Sequence, residues 1–174
     1  MAFRHRAPLD ILFGCTIAVI VAVMMAAGTA ARAQPQDRLQ VHLPGADDPQ
    51  LVTLTELSEL PQHSYHTSTV WTEGVHAFSG VLLRDLLDHL GVPLGPDGGH
   101  VVLDALDGYT ARIEADLITD SAPLLSFLRD GKPLPRREQG PFWLIFPYDD
   151  DPAFRTEAIY ARSVWQIVSM TVIP

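Results

Sequence analysis

The sequence predicts a strand-rich α+β domain. Three observations predict it. Short stretches alternate apolar and polar residues, two Asp-Gly pairs lie where such stretches turn back, and a single leucine-lined segment has helical spacing.

Taken in order, the chain opens with Arg4, His5 and Arg6, a short positive region. Ile11 to Ala27 follows without a charge, and a run of small residues ends at Ala31-Arg32-Ala33. This is the pattern of a secretory signal peptide over residues 1–33, with cleavage before Gln34. The apolar run sits at the bottom of the membrane-spanning range of roughly 17–25 residues and lacks basic stop-transfer residues, so a cleaved leader is expected rather than an anchor. Cys15 has most of the apolar run after it instead of before it, which excludes a lipoprotein box. His5 separates the two arginines that a twin-arginine signal would need adjacent. The expected mature protein is one periplasmic domain, residues 34–174, not spanning the membrane and crossing it unfolded.

Arg38 to Leu43 alternates Leu39, Val41 and Leu43 with polar neighbours, a short strand. Asp47-Asp48-Pro49 makes a turn, and Thr53-x-x-Glu56 has capping-box spacing ahead of a short helix over 54–60. Tyr65 to Trp71, dense in Thr and aromatic residues, reads as a strand. Ser79 to Leu90 places Leu82, Leu83, Leu86, Leu87 and Leu90 on one face, which predicts the main helix over about 80–90, ended by Gly91 and Pro93. Val101–Leu106 and Tyr109–Ile113 flank Asp107-Gly108 as a hairpin, and Leu124–Leu128 runs into a second turn at Asp130-Gly131. Phe142 to Phe146 is apolar throughout, as a strand covered on both faces would be. Val164 to Ile173 is the last strand, with Val164, Val168, Met170 and Val172 on one side.

Composition limits the function. Residues 34–174 carry nine basic and twenty acidic residues, a formal charge of −11, with Lys132 as the only lysine. Such a surface repels polyanions, so nucleic acid is excluded as a partner. The sole cysteine, Cys15, lies in the leader, so the mature domain has no disulfide, thiolate ligand or cysteine nucleophile. There is no Gly-rich phosphate loop and no G-x-S-x-G elbow, and no residue is assigned as catalytic.

From Thr67 to Ile173 the segments TSTVWTEGVHAFSGVLLRDLLDHLG, LDGYTARIEADLI, LLSFLRDGKPLP and GPFWLIFPYDDDPAFRTEAIYARSVWQIVSMTVI follow one another. In this order they resemble the molybdopterin-binding domain of the sulfite oxidase type, in its short, exported, single-domain branch. The resemblance implies a compact β-rich α+β fold and makes molybdopterin the family's cofactor. It also implies that a cysteine thiolate ligates molybdenum on a strand upstream of the glycine opening the Leu-rich segment. Counting back from Gly80 lands near Ser68, within Thr67-Ser68-Thr69. A hydroxyl is a harder and far less acidic donor than a thiolate. The family's cofactor is generally inserted in the cytoplasm, whereas this leader suits an unfolded chain. No bound cofactor is therefore expected, and the domain is expected to be catalytically silent, a ligand-binding, sensory or partner-binding module. The rival is a molybdopterin-dependent oxidoreductase with a non-cysteine ligand set.

Candidate cleft residues are Ser68, Trp71, Tyr109, Arg112, Arg155 and Arg162. Arg suits bidentate contact with carboxylate or phosphate, which suggests a small anionic ligand, or the extracytoplasmic domain of a membrane protein, as partner. Arg155 is the stronger candidate for the ligand. Arg162, leading into the apolar final strand, is the more structural, and both have Asp149 to Asp151 and Glu157 nearby as possible ion-pair partners. Trp71 and Tyr109 are candidates for the cleft wall or the core. His63, His66 and His76 are expected as surface or loop residues rather than a metal site, since strand positions three apart point to opposite faces. Asp149-Asp150-Asp151 lacks the spacing and glycine of a calcium loop and is expected as an acidic turn.

Overall fold

Residues 38–95 and 98–174 are described by the computed structural model. The expected leader and its cleavage point, residues 1–33, lie outside them. Among the described residues no helix is long and apolar enough to cross a membrane.

Among the described residues ten strands form two five-stranded sheets. The first joins β2 (Gln50–Thr53), β1 (Arg38–His42), β10 (Ile167–Ile173), β5 (His100–Ala105) and β6 (Thr110–Glu114) in that order. Its centre is parallel, with Val41 opposite Met170, and all its other pairings are antiparallel. The second runs β3 (His63–Thr69), β4 (Thr72–Leu82), β7 (Leu124–Arg129) and β8 (Lys132–Pro133), with β9 (Trp143–Ile145) also paired to β7. Alternation decides which face is inward. In β1, Leu39 and Val41 are buried between exposed Arg38, Gln40 and His42, and β5 alternates in the same way. Phe142 to Phe146 is buried throughout, as the unbroken apolar run predicts.

Among the described residues three short α-helices connect the strands: α1 (Leu54–Glu59), α2 (Leu83–His89) and α3 (Glu157–Tyr160). Helix α1 carries the full capping box, with Glu56 Oε2 accepting from the Thr53 amide at 2.7 Å and Thr53 Oγ1 accepting from the Glu56 amide at 3.2 Å. The Thr53 amide, followed by its hydroxyl, holds the Glu56 carboxyl below its usual value. Helix α2 buries Leu83, Leu86 and Leu87 in the common core, with Val81, Phe78 and the β7 leucines.

The structure corrects the expected helix over 80–90. Ser79 to Leu82 are the end of β4, with Gly80 opposite Ser126, Val81 opposite Leu125 and Leu82 opposite Leu124. Leu82 stands at the N-cap with no side-chain cap bond, so nothing local starts the helix earlier, and the ladder to β7 takes those residues. The rest of β4, from Thr72, follows Trp71 directly, where no strand was expected. The last strand begins at Ile167, not Val164. Gln166 has φ 52°, and a register shift between Ile167 and Ser169 leaves Val168 half-buried while Met170 and Val172 face inward. Helix α3 falls where no element was expected.

Candidate functional site

Strand β3 brings Ser68 against the chain leaving β9. The Ser68 amide donates to Asp149 Oδ2 at 2.6 Å and its hydroxyl donates to Oδ1 at 2.8 Å. The Asp149 amide in return donates to Oγ1 of Thr67, a buried side chain. Arg155 closes the group: Nη2 donates to Asp149 Oδ1 at 2.8 Å and Nε donates to the Tyr148 carbonyl at 2.6 Å. The Ser68 amide and then its hydroxyl, with the Arg155 guanidinium adding to them, hold the Asp149 carboxyl below the usual carboxylate value. The result is an anion with each oxygen occupied from within the protein.

Tyr148 connects this group to an aromatic cluster. Its hydroxyl donates to Ser163 Oγ at 2.6 Å, and burial pushes its pKa up to about 12. Its ring lies 5.5 Å from Tyr160. Trp71, just past the end of β3, packs edge-on against Tyr160 at 5.8 Å and Trp165 at 5.4 Å, at interplanar angles of 84° and 76°. Beneath them Trp143 is fully buried, its Nε1 donating to the Ser163 carbonyl at 3.1 Å. A pocket of about 210 Å³ opens here, and its lining includes Trp71, Asp107, Tyr109, Tyr160, Ser163 and Trp165. The β5–β6 hairpin supplies Asp107 and Tyr109, and the Tyr109 hydroxyl donates to the Ala161 carbonyl at 2.8 Å, tying that hairpin to α3.

The six candidate residues are thus distributed over three places. Ser68 and Arg155 share Asp149, and Trp71 and Tyr109 share the pocket. Arg112 lies on β6, paired through Nε and Nη2 with Glu114 at 2.7 and 3.0 Å. Arg162 donates from Nη1 to the Ala158 carbonyl at 2.7 Å, and it lies close enough to Glu114 to help hold that carboxyl low, after the larger effect of Arg112. None of the three arginines lines the pocket. Among the described residues no group of three His, Cys, Asp or Glu side chains is placed to hold a metal ion. His63 instead bonds Asp85 at 3.0 Å and His76 bonds Asp130 at 2.6 Å. Of the three aspartates, Asp149 binds Ser68 and Arg155, while Asp151 caps the 3₁₀ turn at Pro152–Phe154 by accepting from the Ala153 amide. Tyr160, Trp165 and Asp107 are pocket residues that sequence reasoning did not single out. The signal available was two aromatic residues flanking Arg162 in AIYARSVW, which has neither a helical nor a strand period to place them.

Residues 27–148 match the oxidoreductase molybdopterin binding domain family. The chain belongs to that family. It is 26% identical over 106 residues to the uncharacterized oxidoreductase YuiH of Bacillus subtilis (strain 168), a match covering 59% of this chain and 52% of that protein. Its fold is similar to that of the sulfane dehydrogenase SoxCD from Paracoccus pantotrophus, with a TM-score of 0.56 at 18% identity, over 79% of this chain and 38% of the other. The chain therefore spans about half the length of YuiH and less of the SoxCD chain. The β-rich fold expected from the resemblance is the fold observed.

The resemblance puts the expected metal ligand near Ser68, so the donors there are the ones to weigh against the family's cofactor. That position offers a hydroxyl whose proton is given to a carboxylate held as an anion. There is no cysteine among the described residues. The residues present do not fit a thiolate-held molybdenum: the donor is hard, protonated and already bonded.

Proposed function

We propose that this member of the molybdopterin-binding family is an exported, catalytically silent binding module, acting on a small ligand or on the extracytoplasmic domain of a membrane protein. The observation that carries the reading is the pair of hydrogen bonds from Ser68 to Asp149, which uses the position of the expected metal ligand to fasten β3 to the segment after β9. In this reading the mature form starts at Gln34, within a residue or two, lies in the periplasm and does not span the membrane. The ligand's seat is the pocket of Trp71 and Tyr109. A small anion would instead need Arg155, whose guanidinium is already bonded to Asp149 and to the Tyr148 carbonyl. The pocket is the stronger seat.

A second reading has one observation in its favour, the family itself: a molybdopterin-dependent oxidoreductase with a non-cysteine ligand set. Protein purified from its native compartment separates the two. Intact-mass and cofactor analysis is expected to give a chain beginning near Gln34 and no bound pterin. A pterin retained on the folded protein would establish the second reading, and an uncleaved precursor in the membrane would end the export part of the first.

A further inference from the structure

The pocket beside Trp71 is built from aromatic rings and one carboxylate. Trp71 stands nearly perpendicular to both Tyr160 and Trp165, so three rings in different planes border one small space. Asp107 lines the same space, and no lysine or arginine does. The Tyr109 hydroxyl gives its proton to the Ala161 carbonyl, which leaves its oxygen as an acceptor, while the buried Ser163 hydroxyl donates to the Ile159 carbonyl and already accepts from Tyr148. An anion entering would meet aromatic rings, the Tyr109 oxygen and Asp107, with no lysine or arginine to receive it.

We propose that this pocket binds a small organic cation carrying a methylated ammonium group. Ring faces of Trp and Tyr carry negative quadrupole density and attract such cations, and a methylated ammonium needs no hydrogen-bond acceptor of its own. The volume, about 210 Å³, suits a headgroup-sized ligand rather than a whole cofactor. The acidic surface, with a formal charge of −9 over the whole chain, draws cations toward it. Asp107 is held in place for this role by accepting the Tyr109 amide at 3.0 Å. The inference rests on the pocket being the ligand's seat and adds the class of ligand.

The test is a titration of the mature protein with choline and with its uncharged tert-butyl isostere, followed by indole fluorescence and calorimetry. Choline is expected to bind about fivefold more tightly or better than the isostere, the size of a cation–π contribution on partly desolvated rings. Asp107→Asn keeps the acceptor that fixes the hairpin turn and is expected to weaken choline severalfold while leaving the isostere unchanged. Trp71→Leu is expected to abolish both, and because it also touches the core cluster, the Asp107 variant decides the matter if Trp71→Leu fails to fold. Phosphatidylcholine vesicles compared with phosphatidylglycerol vesicles show whether the group is presented by a lipid or by a free solute. Equal affinity for choline and the isostere, no binding of either, or preference for an anion such as acetate overturns the proposal. A retained pterin would overturn the binding-module reading, and the charge comparison on pterin-free protein stands apart from it.

Discussion

Asp149 accepts from two partners in distant parts of the chain, Ser68 on β3 and Arg155 beyond the acidic turn, and this fixes how it responds to pH. Its carboxyl is held below the ordinary value first by the Ser68 amide, then by the Ser68 hydroxyl. A carboxyl with a lowered folded pKa stabilises the fold above its unfolded pKa, and that contribution is lost as pH falls through the folded value. Ser68→Ala removes the hydroxyl bond and keeps the amide. The expected loss at neutral pH is about 1 kcal/mol, modest because the Asp149 side chain is partly exposed. The gap between wild type and variant should narrow as pH falls below the unfolded carboxyl's value of about 4 and on through the lowered folded value of Asp149. Urea unfolding of the two proteins at neutral and acid pH checks this. A gap that is absent at neutral pH, or that widens in acid, would contradict the assigned bond. Arg155 belongs to the same unit, so the ion-pair network that its sequence neighbours suggested is present through Asp149, while Asp151 is used as a helix cap.

At the scale of elements, Gly80 shows what the leucine pattern concealed. A Cβ there would lie 2.1 Å from the Leu125 carbonyl oxygen and 2.8 Å from the Ser126 Cα, both backbone atoms of β7. Gly80→Ala therefore has to push the two strands apart, at an expected cost of roughly 1–3 kcal/mol or more, read as a lowered melting temperature with the mature chain. Unchanged melting would mean that the β4–β7 pairing is not as close as described. Gly140 is in the same position against the Leu134 carbonyl, with a Cβ distance of 2.0 Å. These two close approaches give a physical reason for the glycines in the F-S-G-V and G-P segments that carried the family resemblance. The capping box at Thr53, the Asp107-Gly108 hairpin and the fully apolar β9 were legible because each is a local signal. The start of α2 was not. Leu82 and Leu83 fit a helical face and a strand ladder equally well, and only the partner strand, more than forty residues later, decides between them. The shift at Gln166 was hidden for the opposite reason, since Gln carries no sequence signal for a positive φ.

At the scale of the molecule, the fold was legible from its segments and their order, while the site was only partly so. Ser68 was singled out by counting from Gly80, but its partner lies 81 residues away and no spacing rule connects them. Trp71, at the end of an expected strand, and Tyr109, after the Asp-Gly turn, were candidates for the cleft wall or the core, and the structure puts both in the lining of the pocket. Their companions Tyr160 and Trp165 come from a segment with no regular period, brought in by α3 and the bridge between Trp143 and Trp165. What the three scales share is that Ser68 is used as a structural donor. The measurement that tests this most directly is the molybdenum content of wild-type protein purified from its native compartment in molybdenum-replete growth. A ratio far below one atom per chain is the predicted result, since the Ser68 hydroxyl is a hard donor already bonded to Asp149. One molybdenum per chain, held through purification, would contradict it.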